Sequence, residues 1–116
     1  MSVNIPKSEH HKHRLLARSG LNEIVFCYGC KMYHVHYETI SLDLTLKGLF
    51  SLMEYLQKCI QENAGICDDD IRWIELATPS KNIRLYFSIN DCKSLAGLIV
   101  QSIKTIRDHP PQSKWN

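Results

Sequence analysis

At 116 residues the chain is long enough for one domain that buries roughly two-thirds of its unfolded surface, so no staple is required for it to fold. Hydrophobic residues at 44% and charged residues at 22% exclude a wholly disordered or fibrous protein. A net charge of +2 makes no electrostatic case for nucleic acid, and the basic character is concentrated in residues 1–20, where Lys7, Lys12, Arg14 and Arg18 face only Glu9.

Residues 1–20 read as a flexible, basic, His-rich leader. Pro6, Ser8, His10, His11 and His13 come before any apolar periodicity, and Leu15-Leu16-Ala17 is a short patch that can dock the leader onto the domain. Met1 to His13 is too polar for a signal peptide and no apolar run is long enough to span a bilayer, so the expected setting is cytoplasmic, without membrane contact. Five cysteines, an odd number without framework spacing, fit reduced thiols. Cys59 and Cys92 fall in helical patterns, where inert burial is the expectation.

The domain proper spans residues 21–109. Its first strand, Leu21 to Phe26, runs into Cys27-Tyr28-Gly29-Cys30, a turn with the form of a zinc knuckle, in which Gly29 is expected to supply the unusual backbone conformation. Beyond it Tyr33, Val35 and Tyr37 alternate with His34 and His36, which share a face. Ile40, Leu42 and Leu44 alternate again after Glu38-Thr39, a turn or a bulge. In one unbroken strand the histidines would face the core with Ile40, Leu42 and Leu44; a turn frees them.

Thr45 suits a helix N-cap, and Leu46, Leu49, Phe50, Met53, Leu56 and Ile60 follow at helical spacing until Asn63-Ala64-Gly65. Cys67-Asp68-Asp69-Asp70 is an acidic loop without EF-hand spacing. Arg72 to Ala77 and Ile83 to Ile89 read as a hairpin around Thr78-Pro79-Ser80-Lys81-Asn82. Asn90 or Asp91 caps a second helix carrying Leu95, Leu98, Ile99, Ile103 and Ile106, which His109-Pro110-Pro111 stops, leaving residues 110–116 as a C-terminal tail.

The expected fold class is α+β, a two-layer sandwich whose single, mostly antiparallel sheet of about five strands carries both helices on one face, in the order β-β-(β)-α-β-β-α. The other sheet face would then present Trp73, Arg84, Tyr86, Tyr33 and Tyr37 as a docking surface for a second copy or another protein.

The Cys-x-x-Cys followed by Tyr33-x-Val35-x-Tyr37, a capped helix, and Thr78-Pro79-Ser80-Lys81-Asn82 before Ile83-x-Leu85-x-Phe87 resembles a family of short bacterial proteins known only as a domain of unknown function, over residues 21–106. The turn this family makes with Gly-Asn is Glu38-Thr39 here. The resemblance implies the fold and a bacterial cytoplasmic setting, and no activity.

Three functions compete. A metal site would use Cys27, Cys30, His34 and His36, completed by Cys67, Cys92 or a leader histidine, and the S and N donors point to zinc. A thiol-disulfide enzyme would need the pair at a helix N-terminus, whereas its flanks are strands. A nucleophile–base pair of Cys27 and His34 cannot be read from spacing. A single-stranded nucleic-acid module would stack bases on Trp73 and Tyr86 beside Arg72 and Arg84, but the acidic loop and small net charge oppose it. The expectation is therefore a non-catalytic interaction or regulatory domain, zinc-stabilised, with a homodimer or protein partner.

Overall fold

The computed structural model describes residues 12–66, 68–78 and 80–111. Four strands form an antiparallel meander in the order β1-β2-β3-β4: β1 His13–Ser19, β2 Asn22–Cys27, β3 Met32–Tyr37 and β4 Ile40–Leu44. Helix α1, Leu46–Asn63, leads to a separate two-stranded sheet of β5 Ile74–Leu76 and β6 Leu85–Phe87, and helix α2, Ile89–Asp108, closes the fold. The α+β class is as expected, with two corrections: the hairpin does not extend the first sheet, and residues 13–19 are a strand rather than part of a leader. Residues 1–11 and 112–116, Cys67 and Pro79 lie outside the described residues.

Strand β1 was obscured by its own irregularity. A register shift between Leu15 and Ala17 turns Leu16 and Ala17, adjacent in sequence, both inward, which breaks the period-2 signal. Thr105 Oγ1 of α2 donates to the Leu16 carbonyl at 3.0 Å, satisfying a backbone group at the bulge.

Glu38-Thr39 is a turn, with Tyr37 paired directly to Ile40. Glu38 takes the left-handed conformation (φ 53) that such a short connection requires. The reversal puts Tyr33, Val35 and Tyr37 opposite Leu44, Leu42 and Ile40, and His34 and His36 opposite Asp43 and Ser41. Both histidines are thereby on the sheet face opposite the one that supplies Val35 and Tyr37 to the core.

The core gathers Ile24, Phe26, Val35 and Tyr37 with Leu49, Leu56, Leu95 and Ile99. Helix α1 begins as expected: Thr45 Oγ1 accepts from the Gly48 N–H at 3.0 Å, supplying one of the donors the first turn leaves unpaired. Leu46 and Phe50 flank the buried stripe and remain exposed. For α2 the cap is Ser88, not Asn90 or Asp91. Ser88 Oγ accepts from the Asp91 N–H while an Asp91 carboxylate oxygen accepts from the Ser88 N–H, each at 2.9 Å, a capping box.

Asp91 also joins three segments. It accepts from Tyr37 Oη at 2.8 Å and from Arg72 Nε at 2.8 Å, and Arg72 Nη2 reaches Glu38 in the β3–β4 turn at 2.7 Å. Burial works to raise the Asp91 pKa, but the Arg72 guanidinium and the Ser88 and Tyr37 donors hold it at about 2. The same desolvation, reinforced by the Asp91 carboxylate, pushes the Tyr37 phenol well above its ordinary value.

This burial corrects the expected docking surface. Tyr33 and Tyr37 are 7% and 5% exposed and belong to the core. Trp73 packs half-buried against that core, with no hydrogen-bond partner for its indole N–H among the described residues. Only Arg84 and Tyr86 of the five lie open on the surface.

Candidate metal centre

Four neighbouring strands converge on one spot. His13 on β1 pairs across from Cys27 on β2; His34 on β3 pairs with Val25, two residues from Cys27 on the same face; Asp43 on β4 pairs with His34. A diagonal offset of two in a sheet is within reach of side chains as long as histidine. One donor atom each of His13, Cys27 and His34 therefore lie within 4.8 Å of one another.

Cys30 approaches His34 and Cys27 from the turn, outside that trio. Its Sγ is 3.4 Å from His34 Nε2, and its backbone N–H points at Cys27 Sγ at 3.4 Å. The turn closes through the Lys31 N–H donating to the Cys27 carbonyl at 2.7 Å. The left-handed residue is Lys31 (φ 59), which corrects the expectation for Gly29. A non-glycine residue in that conformation costs about 1–2 kcal/mol, so the surrounding pairing holds the turn in place.

Burial and neighbouring groups shift the titration of both Cys30 and His34. Burial raises the Cys30 thiol above its ordinary pKa, and its hydrogen bond with Cys27 adds to the rise, since two adjacent thiolates repel. Burial lowers the His34 pKa, but bonds to the Cys27 sulfur and the Asp43 carboxylate outweigh it and the net shift is upward. A divalent ion would reverse the penalty on the sulfurs, because it stabilises both thiolates at once. His34 Nδ1 sits 2.6 Å from Asp43 Oδ1, which directs Nε2 toward the two sulfurs. That is the carboxylate–histidine arrangement that orients imidazole ligands around metals.

Of the four metal ligands expected from sequence, Cys27, Cys30 and His34 come together and His36 does not. His36 stacks near His34 with ring centroids 6.4 Å apart, and its Nδ1 is 3.1 Å from Ser41 Oγ. Among the described residues, the histidine that joins this set is His13 on β1, whose ring meets that of His34 edge-on at 5.7 Å; His10 and His11 lie outside the described residues. Cys92 is in the core beside Cys59, where burial pushes its thiol up to about 11, and it supplies nothing to the knuckle. Asp43 escaped the sequence because its link to His34 depends on the Glu38-Thr39 turn.

A scan against family models matches residues 10–109 to the "Family of unknown function (DUF6686)". The chain belongs to the DUF6686 family. The match takes in all of the described strands and both helices, so the site lies within the family domain. In searches of curated proteins and of solved structures nothing matched this DUF6686 chain. No helix among the described residues is long and apolar enough to cross a membrane.

Proposed function

We propose that this protein is a small, non-catalytic binding or regulatory domain that holds one zinc ion through Cys27, Cys30, His34 and His13. The observation that carries this reading is the convergence of His13, Cys27 and His34, with Cys30 against His34 and Asp43 behind it. Two thiolates and two imidazoles suit a borderline-soft cation with no strong geometric demand, which selects zinc over calcium or magnesium. A tetrahedral zinc sets such donors about 3.3–3.8 Å apart, so His13, Cys27 and His34, within 4.8 Å of one another, need a modest contraction, and the Cys30 side chain has to swing in from the turn to complete the set. Four protein donors leave no open position for water, which makes the ion structural. Thiolate ligands also need a reducing compartment, which keeps a cytoplasmic setting within the proposal.

Cobalt(II) titration of metal-free protein tests this ligand set. The expected result is a plateau at one equivalent with the strong visible bands of tetrahedral cobalt and thiolate-to-cobalt charge transfer, weakened in Cys30→Ser. Weak octahedral bands without charge transfer would exclude the S₂N₂ site.

The accompanying proposal of a homodimer or protein partner rests on exposed Ile83 and Arg84 before β6 and exposed Tyr86 within it. Sedimentation of the wild type should show a dimer that Tyr86→Ala weakens. A monomer at high concentration in both chains removes the dimer.

A further inference from the structure

We infer that the Cys27–Cys30 pair is an oxidation site for hydrogen peroxide and small hydroperoxides, and that the metal-bound dithiolate and a Cys27–Cys30 disulfide are alternative states of one switch. The metal half of this inference rests on the zinc reading above.

The two sulfurs differ in access. Cys30 is exposed on the turn, and Cys27, the partner to which its thiol is hydrogen-bonded, is fully buried at the end of β2. Peroxide can therefore reach Cys30, whereas Cys27 is positioned to attack whatever forms there. His34 Nε2 lies 3.4 Å from Cys30 Sγ and is backed by Asp43, so the exposed sulfur is held at the knuckle beside Cys27. Cys59 and Cys92 are buried in the core with no such access.

The chemistry balances in two steps. The Cys30 sulfur attacks one peroxide oxygen; an S–O bond forms, the O–O bond breaks, and the departing hydroxide takes a proton and leaves as water. Cys27 then attacks the Cys30 sulfenic acid; the S–S bond forms, the S–O bond breaks, and a second water leaves. Two thiols are oxidised by two electrons and one peroxide is reduced to two waters. A small dithiol reverses the change by exchange.

Oxidation removes two of the four donors, and two imidazoles alone do not retain zinc in competition with a chelator. His13 then loses its tether to the knuckle. This end of β1 then keeps its pairing with β2, the Tyr28 N–H to Lys12 carbonyl bond at 2.8 Å, the Arg14 guanidinium on the His109 carbonyl and Thr105 on the Leu16 carbonyl, but no metal link to the turn. The switch thus acts on the edge strand, loosening its first residues.

The test uses the full, zinc-loaded chain, with metal content measured before peroxide is added. Hydrogen peroxide is then titrated in while a chromophoric chelator reports zinc, mass spectrometry reports the chain, and peptide mapping locates any disulfide. The expected result is one zinc released per Cys27–Cys30 disulfide, a loss of two hydrogens in mass, at least tenfold faster amide exchange over residues 13–16, and full reversal by dithiothreitol. Zinc retained through oxidation, a disulfide to another cysteine, or arrest at Cys30 sulfinic acid would overturn the switch while leaving the metal reading intact. A chain without zinc at the outset would overturn the metal reading and the switch, and the peptide map would still decide whether the pair is the oxidation site.

Discussion

At the residue scale two aspartates have different duties. Asp43 is exposed, yet its bond to His34 orients the ligand nitrogen, so Asp43→Asn is expected to weaken zinc about 10–100-fold while leaving the fold unchanged. Competition with a chromophoric chelator measures this, and unchanged affinity would reduce Asp43 to a surface neighbour. Asp91 is a fold residue. Its folded pKa of about 2 lies below its ordinary 3.8, so its contribution is fully present above about pH 4 and is lost as pH falls toward 2. Half-exposed Arg72 is screened by solvent, and we expect the loss to be about 1–2 kcal/mol. Denaturant midpoints between pH 5 and pH 2 should show that decrease, and Asp91→Asn should flatten it. The thiol pair and His34 were legible because ligand chemistry and spacing are local. Asp43, Arg72 and Asp91 were not, because their roles arise between residues far apart in the chain.

At the element scale, the parts with ordinary local chemistry were legible and the irregular ones were not. Helix α1 followed from Thr45 and the spacing of Leu49 and Leu56; Thr45→Ala should cost about 1 kcal/mol, read from the thermal midpoint. The knuckle turn was recognised, but its strained position was assigned to Gly29 instead of Lys31. Lys31→Gly should therefore gain about 0.5–1 kcal/mol, as relief of the left-handed strain exceeds the entropy of a new glycine. A loss of stability in Lys31→Gly would mean that the Lys31 side chain contributes more than its backbone costs. Strand β1 was missed because its bulge hides the alternation, and the second sheet was missed because alternation in β5 and β6 says nothing about which edge they join. The Ser88-x-x-Asp91 capping box could have been read from sequence, since that spacing is its signature.

At the scale of the molecule, the meander carries the candidate site on one face and the core on the other. The Glu38-Thr39 turn decides which residues fall on each. The core and Asp91 network hold the helices and hairpin together, while His13 and Cys27 bring the start of β1 against the knuckle. Removing the metal should therefore lower stability without unfolding the protein, most visibly at β1. The claim that matters most is that an ion belongs there. Native mass spectrometry of tag-free protein, purified without chelator, tests it directly beside a Cys27→Ser, Cys30→Ser double variant. One zinc per chain is expected in the wild type and none in the variant; metal-free wild-type protein with both knuckle thiols reduced would contradict a zinc site at the knuckle.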